Sequence, residues 1–527
     1  MMIFISSGSS MDVTVSQLLV RGVHEYVLSV PSYSFYEPTA KIPKTGALDK
    51  TADYTMKLAK NESEYCQIAF QMRLNRSNLA LTCTDFTDEN GNTLETSLFE
   101  EYYIKTTGET IMGSCPDPLV PVTADYKFSA LGCSNYPFVI RVRTTADTPA
   151  GDYTATISLT STTQPDNKYE NLSVTVHAHV WDFVLPDAPS MDTAMGLGKG
   201  DIARAHRVDV NSEAASQLYK NYYEFLLEHK ISAYNLPVDI LSDEADAYMS
   251  DPRCTSFCIP YGSDEQIRAY YEKLSTNEEW LNKAYFYPID EPTKQEDYDR
   301  YNSICARLAS LYPDYNMVTP FYVNTVELDD GTHYSVDLQN GKSSIMCPET
   351  VVFDGESFSE KAWARQKNGD KLWWYVCCGP SPTSDYCNLF VQQDGIKHRL
   401  LFWQQKQYNV TGLLYWCTNW WGDVVDSWSS AHTTPWTGAD TFGDGNLMYD
   451  GYRLGQDFPA SSLRLEAVTN GIEDYEYLTI AEDLFGRDYV DGVIAKVSKD
   501  LTHYTLFDAQ FAKVRAELGS AIEKAFG

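Results

Sequence analysis

At Phe183-Val-Leu-Pro-Asp-Ala-Pro-Ser190 the hydrophobic pattern of this chain changes period, and that change limits the available folds more than any other feature. From about residue 12 to 185, apolar residues alternate in short segments such as Phe138-Val-Ile-Arg-Val-Arg143, Tyr153-Thr-Ala-Thr-Ile-Ser-Leu159 and Leu172-Ser-Val-Thr-Val-His-Ala-His-Val180. Turn signals separate them, at Asp88-Glu-Asn-Gly91 and Thr148-Pro-Ala-Gly-Asp152. Period-two segments of this length predict an N-terminal antiparallel β-sandwich over 12–185. The two prolines then read as a linker. Beyond it, apolar strand-like runs alternate with helical patterns. Leu218, Tyr222, Phe225, Leu226 and His229 mark one helix face, and Tyr298, Tyr301, Ile304, Leu308 and Leu311 another. Strands are expected at Asp192–Leu197, Ile231–Leu236, Thr255–Pro260, Tyr285–Ile289, Met317–Val323, Thr350–Phe353, Leu372–Cys378 and Leu413–Thr418. Eight strands alternating with helices predict a (β/α)8 TIM-like barrel over 191–456. The remainder, 457–527, is expected to be helical and to pack on the barrel, with Leu465, Val468, Ile472, Tyr475 and Leu478 at helical spacing.

On that count, Asp290 and Glu291 stand at the C-terminal end of the fourth strand, in Tyr-Phe-Tyr-Pro-Ile-Asp290-Glu291-Pro292. Neighbouring side chains on a strand point to opposite faces, so two consecutive acids cannot both enter a core. At a strand end both can reach one cleft, which is where barrel enzymes keep their chemistry. Paired carboxylates serve glycoside hydrolysis, one protonating the leaving oxygen and the other handling the developing charge. The bland alternative is a turn with two solvated acids. Other expected strand ends carry Tyr322 and Asn324, Tyr375, and Trp416, Asn419 and Trp421. Aromatic faces stack on sugar rings while amides and hydroxyls read sugar hydroxyls; the same rings also serve as barrel core.

Composition removes other classes. With 73 acidic against 41 basic residues, a formal charge of −32 argues against nucleic acid or anionic membrane surfaces as partners. No run of eighteen apolar residues is present, so membrane insertion is not expected. Twelve scattered cysteines form no zinc pattern, and Cys254 and Cys258 have no nearby His. His177 and His179 share a strand face without a third ligand, Asp329-Asp330-Gly and Asp444-Gly lack the full calcium series, and Met195-Gly-Leu-Gly-Lys-Gly200 lacks phosphate-loop spacing and reads as a mobile loop. No metal or cofactor is expected. MMIFISSGSSM has no basic n-region, so an exported location is expected only if a leader preceded it, and a cytoplasmic one otherwise.

The chain resembles glycoside hydrolase family 123, including the domain-of-unknown-function 4091 region. The resemblance is carried by Tyr287-Pro-Ile-Asp290-Glu291-Pro292, by Leu414-Tyr-Trp416 with Asn419-Trp-Trp421, and by Ser462-Leu-Arg464-Leu-Glu466-Ala-Val-Thr-Asn-Gly471-Ile-Glu473-Asp474-Tyr-Glu-Tyr477-Leu. The charges of the last motif are expected to pin the C-terminal helices rather than act on substrate. The resemblance implies a retaining, exo-acting β-N-acetylgalactosaminidase that uses the substrate's 2-acetamido group as nucleophile. Asp290 would then orient that group and Glu291 would serve as acid and base, with Tyr322 near the acetamido carbonyl. Two alternatives stay open: another terminal sugar, such as N-acetylglucosamine or an unacetylated hexose, or a glycan-binding protein without catalysis. The aglycone and the oligomeric state are not specified by the sequence.

Overall fold

The computed structural model describes residues 31–107, 112–162, 171–339, 344–422, 427–428 and 440–527; positions 12–30 of the expected sandwich lie outside the described residues. From Ser32–Tyr36 to Leu172–Val184, eleven strands form one hydrogen-bonded sheet. One half is antiparallel around Ser63–Gln71, Asn135–Arg143 and Thr93–Thr107. The other centres on Gly151–Ser161, flanked by Arg76–Cys83 and Leu172–Val184, with Thr55–Lys60 added in parallel. The two-residue strand Phe86–Thr87 pairs with both halves and joins them. The expected sandwich is thus corrected to a single sheet folded over one core. Cys66, Ile68, Phe70, Phe138 and Ile140 from one half meet Met56, Leu58, Ile157, Leu159 and Val176 from the other. Asp88 closes the tight turn after Phe86–Thr87, its Oδ1 accepting the Asn90 and Asn92 N–H groups at 2.9 and 2.7 Å. His179 pairs with Asp152 across the sheet at 2.6 Å.

Beyond the linker, seven regular parallel strands alternate with helices: Asp192–Met195, Phe257–Ile259, Ala284–Phe286, Val318–Phe321, Ile345–Pro348, Lys371–Val376 and Gly412–Tyr415. Five of them form one sheet, and Phe257–Ile259 with Ala284–Phe286 a second. Single bridges link the sheets, at Met195–Ala233 and Phe286–Met317, and the Cys258 N–H donates to the Tyr234 carbonyl at 2.6 Å. Alternation along the strands divides their side chains. Ala194, Tyr285, Val318, Cys347, Trp373, Tyr375 and Leu414 gather in one interior cluster. Their neighbours Met195, Phe286, Met346, Trp374 and Leu413 point outward into the core shared with the helices.

Three expectations are corrected. Ile231–Leu236 contributes one bridge rather than a regular strand. Thr350–Asp354 is a 3-10 helix, and the strand in that part of the chain is Ile345–Pro348. The strand expected to end at Ile289 ends at Phe286, so the acid pair lies in the loop beyond it. Among the described residues a regular eight-stranded sheet is therefore not formed.

The helix Leu463–Phe485 is capped by Ser462, whose hydroxyl accepts the Leu465 N–H at 3.0 Å. It runs against Gly395–Gln407 at close range: a Cβ on Gly471 would come within 2.1 Å of the Phe402 ring. Its charged residues are buried and paired. Arg464 grips Asp117 at 2.9 Å and the Leu389 and Gly443 carbonyls at 2.8 Å. Glu466 takes Arg141 at 2.8 Å, and Asp474 accepts from Arg399, Trp403 and Arg515 at 2.6–2.9 Å. Arg141 and Asp117 belong to the N-terminal sheet and Arg399 to the helix Gly395–Gln407, so this motif rivets the two halves of the molecule together. Burial pushes the Asp474 carboxyl up, but Arg399 and Arg515 outweigh it and hold the group below its ordinary range. The loop Met195–Gly200 is not free either: the Asn419 side chain accepts the Gly198 N–H at 2.7 Å and donates to the Gly198 carbonyl at 3.0 Å.

Candidate active site

The strand Ala284–Phe286 delivers the chain to Tyr287, Pro288 and Ile289, and the two acids follow in the loop. Adjacency is resolved by the backbone. Glu291 has φ of 44°, in the left-handed region that a residue with a Cβ adopts only at a cost of about 1–2 kcal/mol. This twist breaks the strand alternation between the neighbouring side chains and gives each a different setting. Asp290 is exposed, and its Oδ1 accepts the Tyr287 hydroxyl at 2.7 Å. Glu291 is half-buried, and its Oε1 accepts the hydroxyl of Tyr375, whose strand Lys371–Val376 belongs to the five-stranded parallel sheet.

Electrostatics follow from those settings. Burial, and then the charge of Asp290, push the Glu291 carboxyl above its ordinary range, while the Tyr375 hydrogen bond opposes them. A carboxylic acid kept protonated nearer to neutrality is suited to donating a proton.

A third carboxylate, Glu349, lies beside Tyr375 and within the field of Glu291, where none is expected from the sequence. It follows the strand Ile345–Pro348 directly, its N–H donates to the Phe321 carbonyl at 2.8 Å, and its backbone bridges to Tyr375. Burial, and then the charge of Glu291, push its carboxyl up to about 7. The available signal was the one that marked Asp290: an acid immediately after a short apolar run, here Ile345-Met-Cys-Pro348-Glu349. The strand assignment at Thr350–Phe353 hid it.

The other sequence candidates separate. Tyr375 joins the acid pair directly. Trp416 is half-buried; its indole donates to Asp444 at 2.9 Å and its ring packs on Trp420 with centroids 5.7 Å apart. Tyr322 is exposed. Asn324 donates to the Glu356 carbonyl at 3.2 Å and packs on Gly355, while Asn419 holds the Gly198 loop. Trp421 is core: it is 1% exposed, and its indole donates to the Met448 carbonyl at 2.9 Å. Among the described residues no hydrogen bond joins Tyr322, Asn324, Asn419 or Trp421 to the acids. Among the described residues, too, no cluster of three His, Cys, Asp or Glu side chains forms a metal-ligand set, and no helix is long and apolar enough to cross a membrane.

Comparison with known proteins bears on this site. Residues 265–481 match the family model of the glycoside hydrolase 123 catalytic domain, a span that includes Asp290, Glu291, Glu349, Tyr375 and most of the helix Leu463–Phe485. No curated protein matches. Among solved structures, a family 123 glycoside hydrolase from Clostridium perfringens, studied for glycolipid glycan hydrolysis, superposes with a TM-score of 0.67 at 12% identity. The match covers 94% of this chain and 98% of that one, so the two share a fold over nearly their whole length. A PapD-like domain of human CEP192 aligns with 32% of this chain and 97% of its own at 8% identity, and its TM-score of 0.16 carries no argument. The family-model match over residues 265–481 and the shared fold together support a glycoside hydrolase of the family 123 type.

Proposed function

We propose that the protein is a retaining exo-β-N-acetylgalactosaminidase in which the substrate's 2-acetamido oxygen is the nucleophile. The observation that carries this reading is the unequal setting of two adjacent acids within the span matched by the family 123 catalytic domain: an exposed Asp290 steadied by Tyr287, and a half-buried Glu291, its pKa raised by burial, steadied by Tyr375. A direct nucleophile and its acid partner straddle the sugar about 5–5.5 Å apart. Sequence neighbours are poorly disposed to that, whereas substrate assistance needs no enzyme nucleophile.

In this mechanism Asp290 uses the oxygen not taken by Tyr287 to accept the acetamido N–H. That orients the carbonyl oxygen toward the anomeric carbon and stabilises the positive charge that develops. Glu291 donates its proton to the glycosidic oxygen as the C1–O bond breaks and the acetamido oxygen bonds to C1, giving an oxazolinium ion and the free aglycone alcohol. Glu291, now a carboxylate, takes a proton from water, whose oxygen attacks C1 and opens the ring with net retention. Trp416 offers an apolar face, and Tyr322 is an exposed hydroxyl for the acetamido carbonyl. We read the eight parallel segments, with Ile231–Leu236 the most irregular, as a distorted (β/α)8 ring within a catalytic part at 191–456.

The reading is tested with nitrophenyl glycosides of N-acetylgalactosamine, N-acetylglucosamine and galactose. Turnover confined to 2-acetamido sugars and blocked by a thiazoline mimic of the oxazolinium is expected. Glu291→Gln should lose activity most on substrates with poor leaving groups. Wild-type rates in that variant on a poor leaving group would end the assignment.

A further inference from the structure

Glu349 is 8% exposed, and among the described residues no N–H or O–H group donates to its carboxyl oxygens. The space it occupies is made by Gly379, where a Cβ would stand 2.2 Å from the Glu349 Oε1. Tyr234 is a second orphan at this end of the ring. Its hydroxyl is buried without a partner, and its ring meets Tyr287 edge-on with centroids 6.0 Å apart. Unlike the Tyr234 hydroxyl, the Glu349 carboxyl oxygens are not cut off from solvent, so they are acceptors open to an incoming ligand. A ligand rich in hydroxyl groups supplies the missing donors. Glu349 is fixed to the acid pair through Tyr375, whose backbone pairs with Glu349 and whose hydroxyl holds Glu291.

We propose that Glu349 is a specificity-determining sugar-binding residue, its carboxyl oxygens accepting hydrogen bonds from ring hydroxyls of the terminal sugar held over Asp290 and Glu291. This rests on the glycosidase reading of the acid pair. It makes recognition depend on the hydroxyl pattern away from the 2-acetamido group. A sugar lacking the contacted hydroxyl leaves the carboxyl unpaired and is rejected.

The test compares wild type, Glu349→Gln and Glu349→Ala on aryl N-acetylgalactosaminides lacking the 3-, 4- or 6-hydroxyl. Wild type is expected to lose roughly 10–100-fold in kcat/KM when the contacted hydroxyl is removed. In Glu349→Ala that penalty should vanish while the penalties at the other positions persist. Binding of free N-acetylgalactosamine, N-acetylglucosamine and galactose, measured by calorimetry, needs no turnover and should weaken in both variants. Thermal midpoints at pH 8 should not fall below wild type. Unchanged hydroxyl penalties, unchanged sugar binding, or midpoints lowered in both variants would each overturn the proposal. Sugar binding without hydrolysis in wild type, lost in the variants, would remove the hydrolytic mechanism and leave the Glu349 assignment standing. A wild type that neither binds nor hydrolyses these sugars would overturn both.

Discussion

Replacing Glu349 with Gln is expected to leave stability nearly unchanged at pH 5 and to raise it at pH 8. Burial and the Glu291 charge hold the folded-state pKa at about 7, against an ordinary 4.5. Between those values the folded chain keeps a proton that the unfolded chain has released, so wild-type stability falls as pH rises through that window. A rise of about 2.5 on the pH scale, at about 1.4 kcal/mol each, makes the loss about 3 kcal/mol, a ceiling because water and nearby dipoles relax around the charge. Gln fills the same space and has no proton to lose. Other raised acids contribute to the pH dependence as well; burial lifts Glu62 to about 8 despite its pairing with Arg515. The useful quantity is therefore the difference between variant and wild type at pH 8, less the same difference at pH 5, in which those acids cancel. Urea unfolding followed by tryptophan fluorescence should give about 1–3 kcal/mol in favour of Gln. A value within about 0.3 kcal/mol of zero, or of opposite sign, would refute the claim that burial and the Glu291 charge raise this carboxyl.

Tyr375→Phe removes the hydrogen bond that lowers the Glu291 pKa, so the alkaline limb of the kcat/KM profile should move up; a downward move would contradict the geometry. Asp474→Ala leaves the Arg399 and Arg515 guanidinium groups facing each other in the core and should cost about 3–5 kcal/mol, read in the thermal or denaturant midpoint. At Glu291 both Gly and Ala remove the carboxyl, but only Gly relieves the φ of 44°, so Glu291→Gly should be more stable than Glu291→Ala by roughly 0.5–1 kcal/mol, with both inactive. Glu101→Gln should increase stability at neutral pH without changing kcat/KM or sugar binding, since burial holds its carboxyl well above the ordinary range far from the ring.

Long-period features of the fold were legible. The helix faces of Leu218 to His229 and Tyr298 to Leu311 lie on Glu213–Glu228 and Gln295–Leu311, because a 3.6-residue period repeated over four turns leaves few alternatives. Short elements were not. Thr350-Val-Val-Phe353 has β-branched and aromatic residues, yet it coils into a 3-10 turn because Phe353 packs edge-on against Trp374 and Phe358. Phe86–Thr87 joins both halves of the N-terminal sheet with two residues, too few to leave a periodic trace. The acid pair was legible as chemistry because two adjacent carboxylates before a proline are rare in a core. The different surroundings of its members were not, since they depend on Tyr287, three residues before Asp290, and on Tyr375, more than eighty residues beyond Glu291.

Glu101 and Glu349 show why an unpartnered buried acid is not by itself a site. Neither carboxyl has a hydrogen-bond partner among the described residues, but the Glu101 oxygens are fully buried whereas those of Glu349 are not. Glu101 lies in Thr93–Thr107, opposite Leu119, where that strand meets the start of the helix Leu463–Phe485. None of Asp290, Glu291 and Glu349 lies among the groups that set its pKa, and burial alone raises it. Glu349 sits where a parallel strand ends, within the field of Glu291 and paired through its backbone to the tyrosine that holds Glu291. An acid without protein donors is therefore a tolerated cost of packing in the N-terminal sheet and an available acceptor beside Glu291. Position at the carboxyl ends of the strands, where side chains from several segments converge on one volume, separates the two.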